Sequence, residues 1–250
     1  MAHSIDVSEE AGVRYLHFGS DWVQGAMKVR RPYALELEYT RHMAAGLLLR
    51  PAAWPRKVLL IGLGAASLTK FFYRNVPQAR ITVAEIDARV VAVARAHFKL
   101  PDEDARLRII VADGAEVVMR NTGYWDMILV DGYDHNARAG VLDTAPFYAA
   151  ARAALTTNGL LASNLFGKRK TFRDSLARIS EAFDGRTLAL PQCETGNVVA
   201  LANAGEPFAL PFAEIQARAA ALKLETGLDL RDTFKRLAIE LATPDDVLRF

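Results

Sequence analysis

From residue 57 onward the chain alternates short apolar runs with stretches of helical spacing, and this restricts the fold more than any other feature. "KVLLIGLG" is an apolar run closing in glycines, and "AASLTKFFYRNV" after it reads as a helix. "ARITVAEID" predicts a second strand and "ARVVAVARAHF" a second helix, while "LRIIVADG" and "WDMILVDGYD" predict a third and a fourth strand. "FYAAARAAL" is a helix and "GLLASNLFG" a fifth strand. Strands separated by helices require right-handed crossovers and a sheet covered on both faces. The predicted class is α/β, a doubly wound, mostly parallel sheet.

The flanks differ in pattern. Residues 13–30 carry β-branched and aromatic residues around a Gly-Ser-Asp turn signal and predict a small N-terminal antiparallel β element. "YALELEYTRHMAAGLLL" (33–49) predicts a helix with Leu35, Tyr39, Met43 and Leu47 on one stripe, ended by "RPAAWP". After the fifth strand, "TFRDSLARISEAF" is a helix, and "TLALPQCETGNVVALANAG" reads as two strands of an antiparallel edge with Cys193 and Glu194 in their turn. The tail from residue 212 is helical; Leu230, Phe234, Leu237 and Leu241 form a stripe for packing on the domain or on a second subunit. The expected organisation is a β element and linking helix over 1–50, a Rossmann-like domain over 51–205 and a helical extension over 206–250.

Composition limits the partners. Lys and Arg total 31 against 29 Asp and Glu, far from the dense basic face of a nucleic-acid binder. No stretch approaches the roughly 18 uninterrupted apolar residues of a membrane span. The polar start "MAHSIDVSEEAG" lacks the apolar core of a signal peptide. Cys193 is the only cysteine, so an internal disulfide and a thiolate zinc site are not expected. A reduced, cytoplasmic protein with no metal is the expectation.

In an open parallel sheet, ligands bind beyond the carboxyl ends of the strands. The residues there are Gly62 and Gly64, then Glu85 and Asp87, Asp113, and Asp131 with Asp134. The glycines permit a tight turn and let a ligand approach the backbone and the next helix's N–H groups, or simply close the turn. Glu85, 23 positions after Gly62, suits the two hydroxyls of a ribose. Asp87 reads better as a helix N-cap. Asp113 suits an adenine amino group, an N-cap, or both. Asp131 and Asp134 stand close enough to repel, and a cationic ligand is one reason to keep such a pair. His42 and His135 lie near this region. His135 reads as a solvated loop residue, with general base as the alternative.

These stretches, with "PRKVLLIGLG", "VAEID", "ADGAEVV", "WDMILVDGYDHNARAGVLDTAPFYAAARAAL" and "NGLLASNLF" in order, resemble the spermidine synthase (polyamine aminopropyltransferase) family. The likeness covers roughly residues 20–203, and the aspartate pair followed by "FY" is its most specific element. The resemblance implies the fold of S-adenosylmethionine-dependent methyltransferases. It implies transfer of an aminopropyl group from decarboxylated S-adenosylmethionine to putrescine or another polyamine. It further implies that Gly62, Gly64, Glu85 and Asp113 hold the nucleoside, that Asp131 is catalytic, and that Asp134 and Tyr39 bind the amine. No tightly bound cofactor and no metal are implied; the partners are a small-molecule amine and further copies of the chain, in a homodimer or larger assembly.

The sequence also departs from that family. Members usually carry an aspartate after the glycine run, where it binds the donor's amino group, and Ala65 stands here. Losing one partner of a buried charge pair costs roughly 3–5 kcal/mol, so another acid such as Glu194 would have to serve, or the donor differs. "AMKVRRPYALELEY" replaces the family's glutamine-containing segment, and its Glu36 and Glu38 read as exposed helix glutamates. Three rivals follow. A methyltransferase would use S-adenosylmethionine itself, though Leu60 stands where many methyltransferases have an acid. A nicotinamide-dependent oxidoreductase would share Gly-x-Gly and Glu85 but leave Asp131 and Asp134 without a task. A non-catalytic adenosine- or polyamine-binding protein would keep the fold alone.

Overall fold

A computed structural model describes residues 4–19, 22–132, 139–167 and 171–250. The chain opens with an antiparallel meander of β1 (Asp6–Glu10), β2 (Val13–His17) and β3 (Val23–Lys28). The sequence pattern gives β2 and β3. β1, "DVSEE", is acidic and mostly exposed, so it has no apolar alternation and is strand because β2 offers it an edge.

The helix expected over 33–49 is much shorter. Only α1 (Glu38–Met43) is α-helical, with Leu37 extended at its start and a tight 3₁₀ turn over Ala45–Leu48. Gly46 lies in that turn, where a Cβ would come within 3.1 Å of Met127 Cε, so the segment is shaped by close packing on the sheet. Of the expected stripe, Leu35 and Met43 are buried in the core.

The alternating region runs β4 (Lys57–Ile61), α2 (Ser67–Asn75), β5 (Arg80–Glu85), α3 (Ala88–His97), β6 (Leu107–Val111), α4 (Gly114–Met119), β7 (Trp125–Val130), α5 (Ala145–Ala154), β8 (Leu155–Phe166), α6 (Phe172–Ala182), β9 (Thr187–Ala189) and β10 (Asn197–Asn203). These strands form one seven-stranded sheet in the order β6-β5-β4-β7-β8-β10-β9. β4 to β8 are parallel, and β10 is antiparallel to both its neighbours, which gives the doubly wound, mostly parallel sheet and its antiparallel edge.

The unbroken apolar runs have a physical reason. Val58 and Leu60 join one core with Phe71 and Phe72 of α2 and Val90 of α3. Their neighbours Leu59 and Ile61 join a second core with Val118 of α4, Tyr148 of α5 and Ile179 of α6. Both faces are dry, so neither parity of the strand is polar.

The tail holds more than helices. α7 (Phe212–Thr226) and α8 (Arg231–Leu241) stand between β11 (Ala209–Pro211) and β12 (Val247–Arg249), which pair with each other. Leu230, Phe234 and Leu237 are buried in the same core as the sheet, whereas Leu241 is exposed. Among the described residues no helix is long and apolar enough to cross a membrane.

Candidate active site

The strand order reverses at β4. The chain runs outward through β5 to β6 and returns on the other side of β4 as β7. Such a reversal leaves a crevice beyond the strands' carboxyl ends. Here the two diverging tips touch: Asp131 donates its backbone N–H to the Ile61 carbonyl at 2.9 Å. Gly62 follows at φ +93°, and a Cβ on it would lie 2.3 Å from the Asp131 carbonyl oxygen. This position therefore has no room for a side chain.

A cleft of about 390 Å³ opens above this junction. Gly62, Gly64, Glu85, Asp113, Asp131 and Tyr39 all line it. Asp134 and His135 lie outside the described residues.

Glu85 ends β5 and is 7 % exposed. Its Oε2 accepts the Leu63 N–H at 2.9 Å and its Oε1 the Asp87 N–H at 3.0 Å. Burial pushes its carboxyl pKa up, and these backbone amides pull it down. Asp87 is an N-cap, accepting from Arg89 N at 2.9 Å. Asp113 caps α4 in the same way, accepting from Ala115 N at 2.8 Å, while also lining the cleft.

Asp131 sits across the cleft floor. Burial raises its pKa, opposed by hydrogen bonds from Asn164 and from the Tyr39 hydroxyl. The Asn164 amide nitrogen donates to Asp131 Oδ1 at 2.8 Å. Asn164 Oδ1 in turn accepts from Asn197 Nδ2 at 3.0 Å, and Asn197 Oδ1 accepts from the Thr195 hydroxyl at 2.8 Å.

Asn164, Thr195 and Asn197 line the cleft, as does Gln24 of β3, and the sequence pattern pointed to none of them. Gln24 stands just before the segment read as lacking the family's glutamine, so the site does hold a glutamine. The one available signal for Asn164 was a polar residue inside the apolar run "GLLASNLFG".

Three acidic residues are placed differently from expectation. Glu36 lies outside the helix and pairs with Lys28 at 2.8 Å. Glu38 is partly buried, with Arg236 at 3.7 Å, His42 Nε2 at 3.9 Å and the Glu194 N–H donating to its Oε2 at 2.9 Å. Glu194 is exposed, and its backbone faces Glu38, so its carboxylate is not among the cleft's lining groups.

Cys193, read as incapable of a thiolate metal site, does join a mixed group: ligand atoms of Glu38, His42 and Cys193 lie within 4.8 Å of one another. These atoms already pair with protein. His42 Nδ1 is 3.4 Å from Cys193 Sγ and its Nε2 is 3.0 Å from Thr233 Oγ1. Burial raises the thiol to about 12 and lowers the imidazole to about 4, so both are neutral. The trio is a hydrogen-bonded node tying α1 to α8 and to the turn before β10.

Ala65 is buried against β3: a Cβ on Gly25 would lie 2.6 Å from the Ala65 Cβ. Ser67 Oγ donates to the Ala26 carbonyl at 3.0 Å and closes the same seam. At the position of the family's aspartate, the Ala65 side chain thus packs against the meander.

Residues 36–193 match the model of the spermine/spermidine synthase domain. The chain belongs to the spermine/spermidine synthase family. It is 36% identical over 225 residues to a polyamine aminopropyltransferase from Neisseria meningitidis serogroup A, covering 90% of this chain and 85% of that one. A probable spermidine synthase structure from Corynebacterium glutamicum superposes with a TM-score of 0.72 at 20% identity, over 90% of this chain and 91% of that chain. Human methyltransferase-like protein 13, in complex with SAH, does so at 0.68 and 23% identity, over 77% and 93% of the two chains. The fold is therefore the one that spermidine synthases share with methyltransferases. In this family member, Gln24 and Asn197 fall outside the matched segment yet line the same cleft as Tyr39, Glu85 and Asp131.

Proposed function

We propose that this spermine/spermidine synthase family member transfers an aminopropyl group from decarboxylated S-adenosylmethionine to putrescine or another polyamine. The observation that carries the reading is Asp131. In a chain of this family, a partly buried carboxylate stands at the switch point, hydrogen-bonded by Tyr39 and Asn164 and facing the glycine turn and Glu85.

Gly62, Gly64, Glu85 and Asp113 would hold the nucleoside end of the donor, with Glu85 on the ribose and Asp113 on the adenine amino group. Asp131 and Tyr39, with Asp134, would hold the amine. An alkylammonium with pKa near 10.4 must lose a proton before it can attack, and a carboxylate near 4 is about six pH units too weak a base in water. Desolvation narrows that gap from both sides: it lowers the amine and raises the carboxylate. The burial that raises Asp131 acts in this direction. The freed nitrogen lone pair attacks the aminopropyl carbon next to sulfur, the carbon–sulfur bond breaks, and its electron pair stays on sulfur in methylthioadenosine. Asp131 takes the proton released from nitrogen.

A homodimer or larger assembly is part of this reading, checked by light scattering. So is a cytoplasmic location, which suits a lone free cysteine.

The test is calorimetric titration of the protein with decarboxylated S-adenosylmethionine, S-adenosylmethionine and methylthioadenosine, followed by an assay with putrescine. Preference for the decarboxylated donor and formation of methylthioadenosine are the expected results. Preference for the carboxylated donor, with methyl transfer, would replace this reading by the methyltransferase one.

A further inference from the structure

Asp131 is approached by a series of neutral groups that all face it with their donors. An ionised carboxylate only accepts and so takes the nitrogen end of an amide, whereas a protonated one can also donate to the oxygen end; what holds the oxygen away therefore bears on which form is favoured. Asn164 presents its nitrogen to Asp131 because its oxygen is taken by Asn197 Nδ2, at 3.0 Å. Asn197 presents its nitrogen because its own oxygen is taken by the Thr195 hydroxyl, at 2.8 Å.

Both asparagines are buried, at 5 % and 6 % exposure, on the adjacent antiparallel strands β8 and β10. Asn197 is held from behind as well. Its carbonyl accepts the Cys193 N–H at 2.8 Å, and Cys193 Sγ contacts His42. The dipoles of the series are aligned head to tail, an arrangement in which each hydrogen bond strengthens the next.

We propose that Asn197 is a positioning residue of the reaction: by donating to Asn164 it fixes Asn164 with its amide nitrogen, and not its carbonyl oxygen, toward Asp131. Loss of that donor removes one restraint on the amide of Asn164, whose oxygen can then accept from the protonated carboxyl of Asp131. The ionised form of Asp131 is then disfavoured and its hold on a cationic amine weakens. Among the described residues, the titratable group in contact with Asp131 is Tyr39 from α1; Glu85 and Asp113, at the tips of β5 and β6, share the cleft with it.

The role in turnover rests on the aminopropyl-transfer reading, but the relay itself is tested without turnover. The experiment is a carboxyl ¹³C titration of the full chain, in which the Asp131 signal is the one lost in Asp131→Asn. In Asn197→Leu, which keeps the heavy-atom branching and removes the donor, the Asp131 midpoint moves to higher pH than in wild type. In Thr195→Val it moves the same way by less. The kinetic counterpart is an amine KM raised about tenfold near neutral pH, the scale of one hydrogen bond to a charged group, with methylthioadenosine affinity unchanged.

An Asn197→Leu protein that binds methylthioadenosine and whose Asp131 titrates as in wild type overturns the proposal. Should that variant not fold, Thr195→Val at its exposed turn decides alone, and an unmoved midpoint there overturns it equally. A wild type that turns over no amine removes the functional reading, while the titration still decides the relay.

Discussion

Leu63 donates its backbone N–H to Glu85 Oε2 at 2.9 Å, so a carboxylate joins the glycine-rich turn after β4 to the tip of β5. The other oxygen does the same for Asp87 N. Each carboxylate oxygen has a further lone pair, which leaves acceptor capacity for hydroxyl groups in the cleft. The backbone bonds of Glu85 and the ribose contact proposed for it would thus fall to one side chain. Glu85→Gln turns an NH₂ group against a backbone N–H. Calorimetry with methylthioadenosine should show affinity lower by roughly tenfold or more, the scale of a hydrogen bond to a charged group. Unchanged affinity would remove Glu85 from the nucleoside site.

Asp131→Asn keeps the shape of the cleft floor and removes its charge. Steady-state kinetics should give an amine kcat/KM lower by about 10²–10⁴, the range for loss of a proton acceptor. Methylthioadenosine binding should change little. A variant with wild-type turnover would exclude Asp131 as the acceptor.

His42 makes stability depend on acid. Burial is the main cause that lowers its pKa to about 4; Glu38 opposes this and Arg236 and Arg41 add to it. The unfolded chain takes up a proton on this residue below about 6.5, while the folded chain does not until about 4. Folded-state stability is therefore complete above pH 6.5 and is lost as pH falls through that window. By pH 5 the loss reaches about 2 kcal/mol. Urea unfolding at pH 7 and pH 5 should show it, and His42→Gln should flatten the difference. An equal loss in both proteins would place the effect elsewhere.

Ala65→Asp, which would restore the family's acid, should not restore its function. The new carboxylate would start from a buried Cβ packed closely on Gly25 of β3. An unpaired buried polar group of this kind costs about 2 kcal/mol or more, which lowers the melting temperature by several degrees, at roughly 2–4 °C per kcal/mol for a chain of this size. Thermal melts check this directly. Tighter binding of the decarboxylated donor at an unchanged melting temperature would show that the meander yields here.

Part of the cleft lining was legible because charge and glycine stand out against apolar strands. Gly62, Gly64, Glu85 and Asp131 follow strands β4, β5 and β7, whose apolar runs are largely buried, so their polar or glycine tips are conspicuous, whereas Asp113 follows the partly exposed edge strand β6. The relay was not legible. Asp131, Asn164 and Asn197 are each 33 residues from the next, and only the adjacency of β7, β8 and β10 brings them together. A neutral amide inside a strand carries no periodic signal. Helix length over 33–49 was misjudged for a related reason: apolar spacing records which residues are buried, and Leu35 and Met43 are buried without sharing a helix. Glu38 read as exposed because its partners, Arg236 and the Glu194 amide, come from distant parts of the chain.

The seam between Gly25 and Ala65 makes the N-terminal meander one wall of the cleft, with Gln24 on its inner side. Any ligand that touches both Gln24 and the β4 tip is therefore bound only by the docked arrangement of the two sheets. By linkage, occupancy adds RT ln(1 + [L]/Kd) to the free energy of undocking. Amide hydrogens of β2 and β3 should then exchange more slowly as methylthioadenosine is added, in step with saturation. The meander thereby becomes a reporter of whether the proposed nucleoside site is filled.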